Sequence, residues 1–199
     1  MRWAIPVIAF GNFVIGTGVM VAGGMLPPLA TGLGVTIPVA AQLITVMALA
    51  IAIGAPILGA VTARFDRRLL LTATLAVYAV GHAACALAPN YESLLVLRIL
   101  LAVSPALFTP QASAALALIV PPATRGRAIS LALLGWAIAS VIGMPIGAYV
   151  GAVLGWRAGF GLVGILAFVG AIGVYRVLPP GLKVSMSGQL YRGSKPVMW

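Results

Sequence analysis

The side chains able to do chemistry in this sequence are few, and most stand inside long apolar runs. Arg98 lies about two turns into such a run, roughly 10 Å from its start. Helical spacing sets Arg98, Ala102, Pro105 and Thr109 on one stripe, and Ser104, Phe108 and Gln111 on a second. A guanidinium near a hydroxyl and an amide suits the wall of a wet cavity that admits a polar solute. The competing setting is packing, in which Arg98 snorkels to the headgroups for less than the roughly 2.5–3.5 kcal/mol that a central arginine costs. Asn12 shares a helix face with Gly16, and Thr17 adds a hydroxyl beside them. The amide either borders the same cavity or bonds a neighbouring helix, an interaction of around 1 kcal/mol. His82, of a residue type that ordinarily titrates near neutrality, is either a proton relay or a packing residue.

The remaining inventory is sparse. The sequence holds 2 acids, Asp66 in a charged turn and Glu92 at a helix end, so no carboxylate lies within an apolar run to change charge there. Cys85 is the single cysteine, which excludes an intramolecular disulfide and a multi-cysteine metal site. There is no Gly-x-Ser-x-Gly elbow, no pair of histidines on one helix and no carboxylate cluster. The expectation is a protein that is not an enzyme and that carries no metal and no cofactor.

The elements that position these groups are membrane helices. Of the 199 residues, 62% are hydrophobic and 7% charged, against about 25% charged in an ordinary soluble domain. No soluble fold hides so much apolar surface. Crossing a hydrocarbon core of about 30 Å takes roughly 20 helical residues, so the length accommodates about six spans with short connections. The first span is predicted over about Ile5 to Leu26, stopped by Pro27 and Pro28, with a loop over residues 30–34. The others run from about Pro38 to Thr62 with Thr36 as a cap, Leu69 to Leu87, Tyr91 to Val120, Ala128 to Ala152 and Arg157 to Val177. The expected fold is an all-α membrane protein: residues 1–181 form one six-helix unit, and 182–199 a polar tail that is disordered or a truncation product.

The net charge of +10 does not signal nucleic acid, because the basic residues sit in short gaps between apolar runs. Arg2, Arg64, Arg67, Arg68, Arg125, Arg127, Arg176, Lys183, Arg192 and Lys195 fall on the side of the N-terminus; opposite them only Arg157 lies in a connection. Cytoplasmic loops retain Lys and Arg, so both termini are expected in the cytoplasm of a bacterial-type inner membrane, with the lipid bilayer as first partner.

The spans divide into two groups of three with matching interruptions. Span one carries Pro6, Gly11, Gly16 and Gly18, and span four Pro105 and Pro110; span two has Gly54 and Pro56, and span five Gly143 and Pro145. Such correspondence predicts a 3+3 inverted repeat whose first and fourth helices line a pathway near the bilayer midplane, although Gly and Pro are also common in membrane helices generally. Span five further bears Gly135, Ala139, Gly143, Gly147, Gly151 and Gly155 at four-residue intervals, a ladder of small residues on which another helix is expected to pack closely.

From about Arg2 to Gly181 the chain resembles the N-terminal six-helix half of major facilitator superfamily transporters, especially the arabinose-efflux-type branch of drug:proton antiporters. Gly16-Thr17 followed by Val21, Gly24 and Leu26-Pro27 is similar to that branch's opening signature. Gly59-Ala60-Val61-Thr62-Ala63-Arg64-Phe65-Asp66-Arg67-Arg68 resembles the loop motif between helices two and three, with Gly59, Arg64, Asp66, Arg67 and Arg68 as its marked residues. Arg98 stands where the family has a helix-four arginine associated with proton coupling. Gly143-Met144-Pro145-Ile146-Gly147, extended to Gly151, resembles the helix-five antiporter motif, and Gly155-Trp156-Arg157 the start of helix six.

The resemblance implies an efflux permease of small organic molecules, drug or sugar type, working by alternating access, with Asn12, Thr17, Arg98, Thr109 and Gln111 on the substrate pathway. It also implies a second six-helix half, against which the glycine face of helix five should pack. The departures are that the loop motif has Ala63 where Asp is usual and Asp66 where Gly is usual, and that no acid stands near Gly18 or Val19. Three origins are compatible with the length: a truncated product inactive alone, a split transporter, or a homodimer of halves. Truncation is expected, because the tail resembles neither a seventh helix nor a family linker. The alternative function is a non-transporting membrane protein that assembles through the helix-five glycine face.

Overall fold

A computed structural model describes residues 3–183, and the expected tail lies outside the described residues from position 184 onward. The described residues form helices α1 (Ala4–Gly24), α2 (Leu26–Leu33), α3 (Ile37–Val61), α4 (Arg67–Ala86), α5 (Tyr91–Leu101), α6 (Val103–Ile119), α7 (Arg125–Ile138), α8 (Met144–Leu154) and α9 (Trp156–Val177). By length and apolarity they make 6 candidate membrane spans: α1, α3, α4, α5 with α6, α7 with α8, and α9.

Local sequence explains the boundaries. The Asp66 side chain accepts from Leu69 N at 3.1 Å, so α4 starts at Arg67, ahead of the expected Leu69. Asn90 and Ser93 cap each other's backbone at the start of α5, a reciprocal box that fixes the expected Tyr91. Pro27 and Pro28 do not end helical structure. The chain kinks at Met25 and resumes as α2 with the prolines in its first turn, where a missing N–H costs no intrahelical bond. The loop expected over residues 30–34 is therefore mostly helix, closed by Gly34 at φ 65. Thr36 precedes α3, but its side chain makes no capping bond.

Two spans are interrupted within the membrane, each ahead of a proline. Pro105 cannot donate to Leu101, and the helix breaks at Ala102 between α5 and α6. Pro145 cannot donate to Val141, and residues Ala139–Gly143 form a π-helical turn between α7 and α8.

The bundle is organised around α1. Of its hydropathic window 56% is buried, against 6% for α3 and 22% for the fifth span. α1 lies against α6, α7, α8 and α9, while α4 packs along α9 and α3 rests on α5 and α6. Leu49, Ile53, Ile57 and Val61 of α3, and Val141, Ile142, Ile146 and Val153 of the fifth span, are exposed. Apolar residues outside and small or polar ones inside are the arrangement lipid permits, because burying one more leucine between helices gains nothing over leaving it in acyl chains.

The small-residue ladder is what lets α1 sit at the centre. A β-carbon on Gly135 would lie 2.6 Å from Phe13 N, one on Gly147 would lie 2.7 Å from Val21 Cγ2, and one on Gly143 would lie 3.1 Å from Thr17 Cβ. Gly151 meets Met25 in the same way. The helix-five glycine face was expected to await a second half; it is instead covered by α1 of the same chain, because only a side-chain-free ridge admits a backbone this close. The assembly reading built on that face has no exposed ladder to act through. Gly155 lies off the ladder, since a β-carbon there would meet nothing within 4 Å, and its φ of 87 makes the turn into α9.

Candidate functional site

The polar side chains of the spans fall into three groups at different depths. The group at the middle joins three helices. Asn12, 1% exposed near the midpoint of α1, donates from Nδ2 to Ala132 O of α7 at 3.0 Å. Its Oδ1 accepts from Thr109 Oγ1 of α6 at 3.0 Å, and Thr109 Oγ1 accepts from Trp136 Nε1 of α7 at 3.0 Å. Each donor in this string has an acceptor, so it is neutral and satisfied, and Thr109 and Trp136 are half-buried while Asn12 is not. Replacing Thr109 by valine leaves the Trp136 N–H and the Asn12 carbonyl oxygen without partners. The expected loss is about 1–3 kcal/mol of unfolding free energy, measured by thermal unfolding in detergent.

Thr17 lies one turn further along α1. It is 2% exposed, its hydroxyl is spent on Phe13 O at 2.8 Å, and Gly143 of the fifth span packs on it. Of the predicted pathway residues, the structure brings Asn12 and Thr109 together and gives Thr17 a packing contact.

The second group lies toward the opposite end of the bundle from the N-terminus. Arg98 of α5 is 0% exposed, so it neither reaches headgroups nor faces an open wall. Nη1 donates to Gly18 O at 2.8 Å and Nη2 to Val19 O at 3.1 Å, both on α1. The guanidinium carbon stands 5.9 Å from the Phe160 ring centroid. Its bonds go to carbonyls rather than to a carboxylate, at the stretch of α1 where the sequence has no acid. Tyr78 and His82 of α4 complete this group. Tyr78 Oη donates to Ile15 O at 3.1 Å, and the two rings meet edge to face at 4.2 Å.

The third group closes the end of the bundle where α3 and α9 finish. Arg67, 4% exposed, donates from Nη1 to Thr62 O at 3.2 Å and to Gln111 Oε1 of α6, and from Nη2 to Ala63 O at 2.8 Å. Gln111 Nε2 returns a bond to Thr62 Oγ1 at 3.1 Å. Gln111 therefore belongs to the loop motif's network and not with Asn12. Asp66 Oδ2 accepts from Gly181 N at 2.6 Å, and Arg67 N donates to Leu182 O at 2.9 Å. Arg68 Nε donates to Tyr175 O at 2.8 Å with its guanidinium over that ring. The turn thus clasps α3, α4, α6 and the end of α9. Gly59 faces open space and Arg64 is exposed, so neither takes part. Asp66→Ala removes both the cap of α4 and the tie to Gly181. The expected cost is about 1–2 kcal/mol in the same unfolding measurement.

Sequence reading did not single out Tyr78, Trp136 or Thr62. Tyr78 was signalled by its i, i+4 spacing from His82, and Trp136 by its place between Gly135 and Ala139 in the ladder. Among the described residues no group of three or more His, Cys, Asp or Glu could hold a metal.

Residues 8–190 match the family model described as Major Facilitator Superfamily. YbcL of Bacillus subtilis (strain 168), an uncharacterized MFS-type transporter, is 30% identical over 89% of this chain and 45% of its own length. The chloramphenicol resistance protein of Streptomyces lividans is 32% identical over 91% of this chain and 46% of its own. The chain spans about half the length of these curated relatives. A crystal structure of the peptide transporter POT with alafosfalin matches with a TM-score of 0.78 at 17% identity, over 87% of this chain and 38% of that one, a likeness of fold alone.

Proposed function

From the premise that this chain belongs to the major facilitator superfamily, we propose that it is one six-helix half of an efflux transporter that moves small organic molecules by alternating access. It is a multi-pass membrane protein of transporter type; the direction, substrate class and partner half are the proposal. α1 and α6 border the pathway, the two groups of three spans form an inverted repeat, and both termini face the cytoplasm of a bacterial-type inner membrane.

The observation that carries this reading is the Asn12–Thr109–Trp136 string. It stands near mid-membrane where α1, α6 and α7 meet, on an edge that leaves Thr109 and Trp136 partly open. Polar groups in lipid are costly, and three on one such edge support a solute pathway over packing alone. The chloramphenicol resistance relative supports an uncharged or weakly charged organic solute of drug size. The match to about half of each relative supports a second six-helix half as the partner, supplied by a separate chain, a second copy or a continuation of this one.

Flux in reconstituted vesicles tests this. The chain joined to a second half is expected to export a chloramphenicol-like solute, and the chain alone to be silent. Equal flux from both, or none from either across drug and sugar panels, overturns the reading.

A further inference from the structure

α4 and α5 do not close on each other along their outward sides. A cleft of about 430 Å³ runs between them, from Ala76 to Ala84 on α4 and from Leu97 to Leu101 on α5. Its lining is alanine, valine, glycine and leucine, with no polar side chain. Residue size explains the opening. α4 presents Ala76, Gly81 and Ala84 to the cleft, and side chains of no more than one carbon leave a trough. Leu101 forms the floor: it is buried, and a β-carbon on Gly81 would lie 2.5 Å from its Cδ2. Val77, Val80 and Leu100 are exposed and form the rim.

The setting decides what fills it. Both helices belong to membrane spans, so the rim is continuous with the surface that meets lipid, and the cleft is supplied from the acyl phase rather than from water. From Ala76 to Ala84 it is about 12 Å long, most of the one leaflet that makes up half of a hydrocarbon core of about 30 Å. It extends from the middle of α4 to near the end of that helix, on the side of the membrane away from the N-terminus. Leu100 stands about 14 Å below the start of α5, within the same leaflet. A second helix packs where small residues form the surface, but here valines and a leucine stand at the rim and the glycine lies below them. A solute of drug size finds none of the placed polar groups that orient a ligand. A single hydrocarbon chain matches the length, the depth and the chemistry. At headgroup level the exposed Arg157 donates from Nη2 to Ala88 O at 3.1 Å, four residues past Ala84, and so sets a cation where a lipid phosphate would lie.

We propose that this cleft binds one acyl chain of a phospholipid as a fixed component of the fold, wedged between α4 and α5. The site goes beyond the transport reading and does not depend on it. Its place gives the lipid leverage on Arg98. Leu97 and Leu101 flank that residue on α5, a half-helix of 11 residues that ends at the break at Ala102. α4 packs along α9 more extensively than on α5, and the acyl chain completes the lesser contact. It thereby holds α5 in place, and with it the bonds from Arg98 to Gly18 O and Val19 O.

Photo-crosslinking tests this on the full chain in nanodiscs of phosphatidylethanolamine and phosphatidylglycerol, doped with a phosphatidylethanolamine that carries a diazirine in mid-chain. Irradiation expels nitrogen, and the carbene inserts into a C–H bond of the side chain it touches. Ile165 is the reference, exposed on α9 and as far from the start of its helix as Leu100 is from the start of α5. Adducts on the cleft residues are expected at about fivefold the Ile165 level in the wild type, the excess that occupancy of a site gives over passing contact. In Ala84→Phe, whose ring fills the trough, they should fall to the Ile165 level. Ala76→Leu narrows the other end and should act alike, which keeps the test decisive if the phenylalanine variant does not fold. Four results overturn the proposal: equal adducts at the cleft and at Ile165, adducts undiminished in a folded filled variant, displacement of the label by a chloramphenicol-like solute, or a disulfide between two copies of Val80→Cys in a background with Cys85 replaced.

Discussion

Gly135→Leu is expected to lower the unfolding free energy of the detergent-solubilised protein by about 3 kcal/mol or more, a large part of what holds α7 on α1. A β-carbon at this position would lie 2.6 Å from Phe13 N and 2.9 Å from Asn12 Cβ, and would also strike the Ala9 carbonyl. Backbone cannot swing aside as the end of a methionine can, so relief requires the two helices to part, taking the Asn12 to Ala132 bond with them. Gly59→Leu is the control. Its β-carbon meets nothing within 4 Å, and it stands in the last turn of α3, so no loss is expected and a small gain follows from helix propensity. Thermal scans of the two variants check the contrast. Equal shifts would mean that the ladder does not carry the packing.

Arg98→Met is expected to separate stability from function. The two bonds to carbonyls are charge-assisted and contribute roughly 1.5–3 kcal/mol each. Removing a cation from water costs several kcal/mol even after relaxation. These nearly cancel, and Gly18 O and Val19 O lie within α1, where helix hydrogen bonds remain. The unfolding midpoint should therefore stay where it is or rise. Flux by the two-half transporter should fall at least about tenfold, equivalent to about 1.4 kcal/mol in the barrier, because among the described residues no other cation stands between α1 and α5. Arg98→Lys should recover little, since an ammonium cannot fork across two successive carbonyls. Unfolding curves and initial flux rates on the same preparations check both halves of the expectation. A variant that unfolds early, or one that transports normally, contradicts the role given to Arg98.

The spans were legible because lipid imposes a simple rule: apolar runs of sufficient length between polar stops are helices. Start signals were legible where a side chain caps, as at Asn90. Others were off where backbone geometry decided. Pro27 and Pro28 read as a stop, yet they are as compatible with a first turn as with an end, and the kink at Met25 selects the former. The break at Ala102 and the π-helical turn at Ala139–Gly143 leave no mark in composition; each follows from a proline just beyond it, Pro105 and Pro145, a signal that says a bond is missing but not how the chain responds.

Side-chain partnerships were less legible than the helices. The ladder from Gly135 to Gly151 announced close packing correctly but not its partner, because small residues state how near a neighbour comes and nothing about which one. Gln111 and Asn12 are both amides on stripes that the sequence leads one to expect beside a pathway. Only the fold shows that Gln111 reaches Arg67 while Asn12 reaches Thr109. Arg98 was placed at the right depth in the helix, but its two carbonyl acceptors are backbone atoms of α1 that no residue type encodes.

The central claim is that α1 and α6 border a solute pathway at the level of Asn12 and Thr109. The most direct test is thiol labelling of Thr109→Cys, in a background with Cys85 replaced, in the transporter completed by a second half. The account predicts reaction with a membrane-impermeant reagent and protection by a transported solute. A Thr109→Cys thiol that stays inert from both sides of the membrane while the protein carries solute would contradict it.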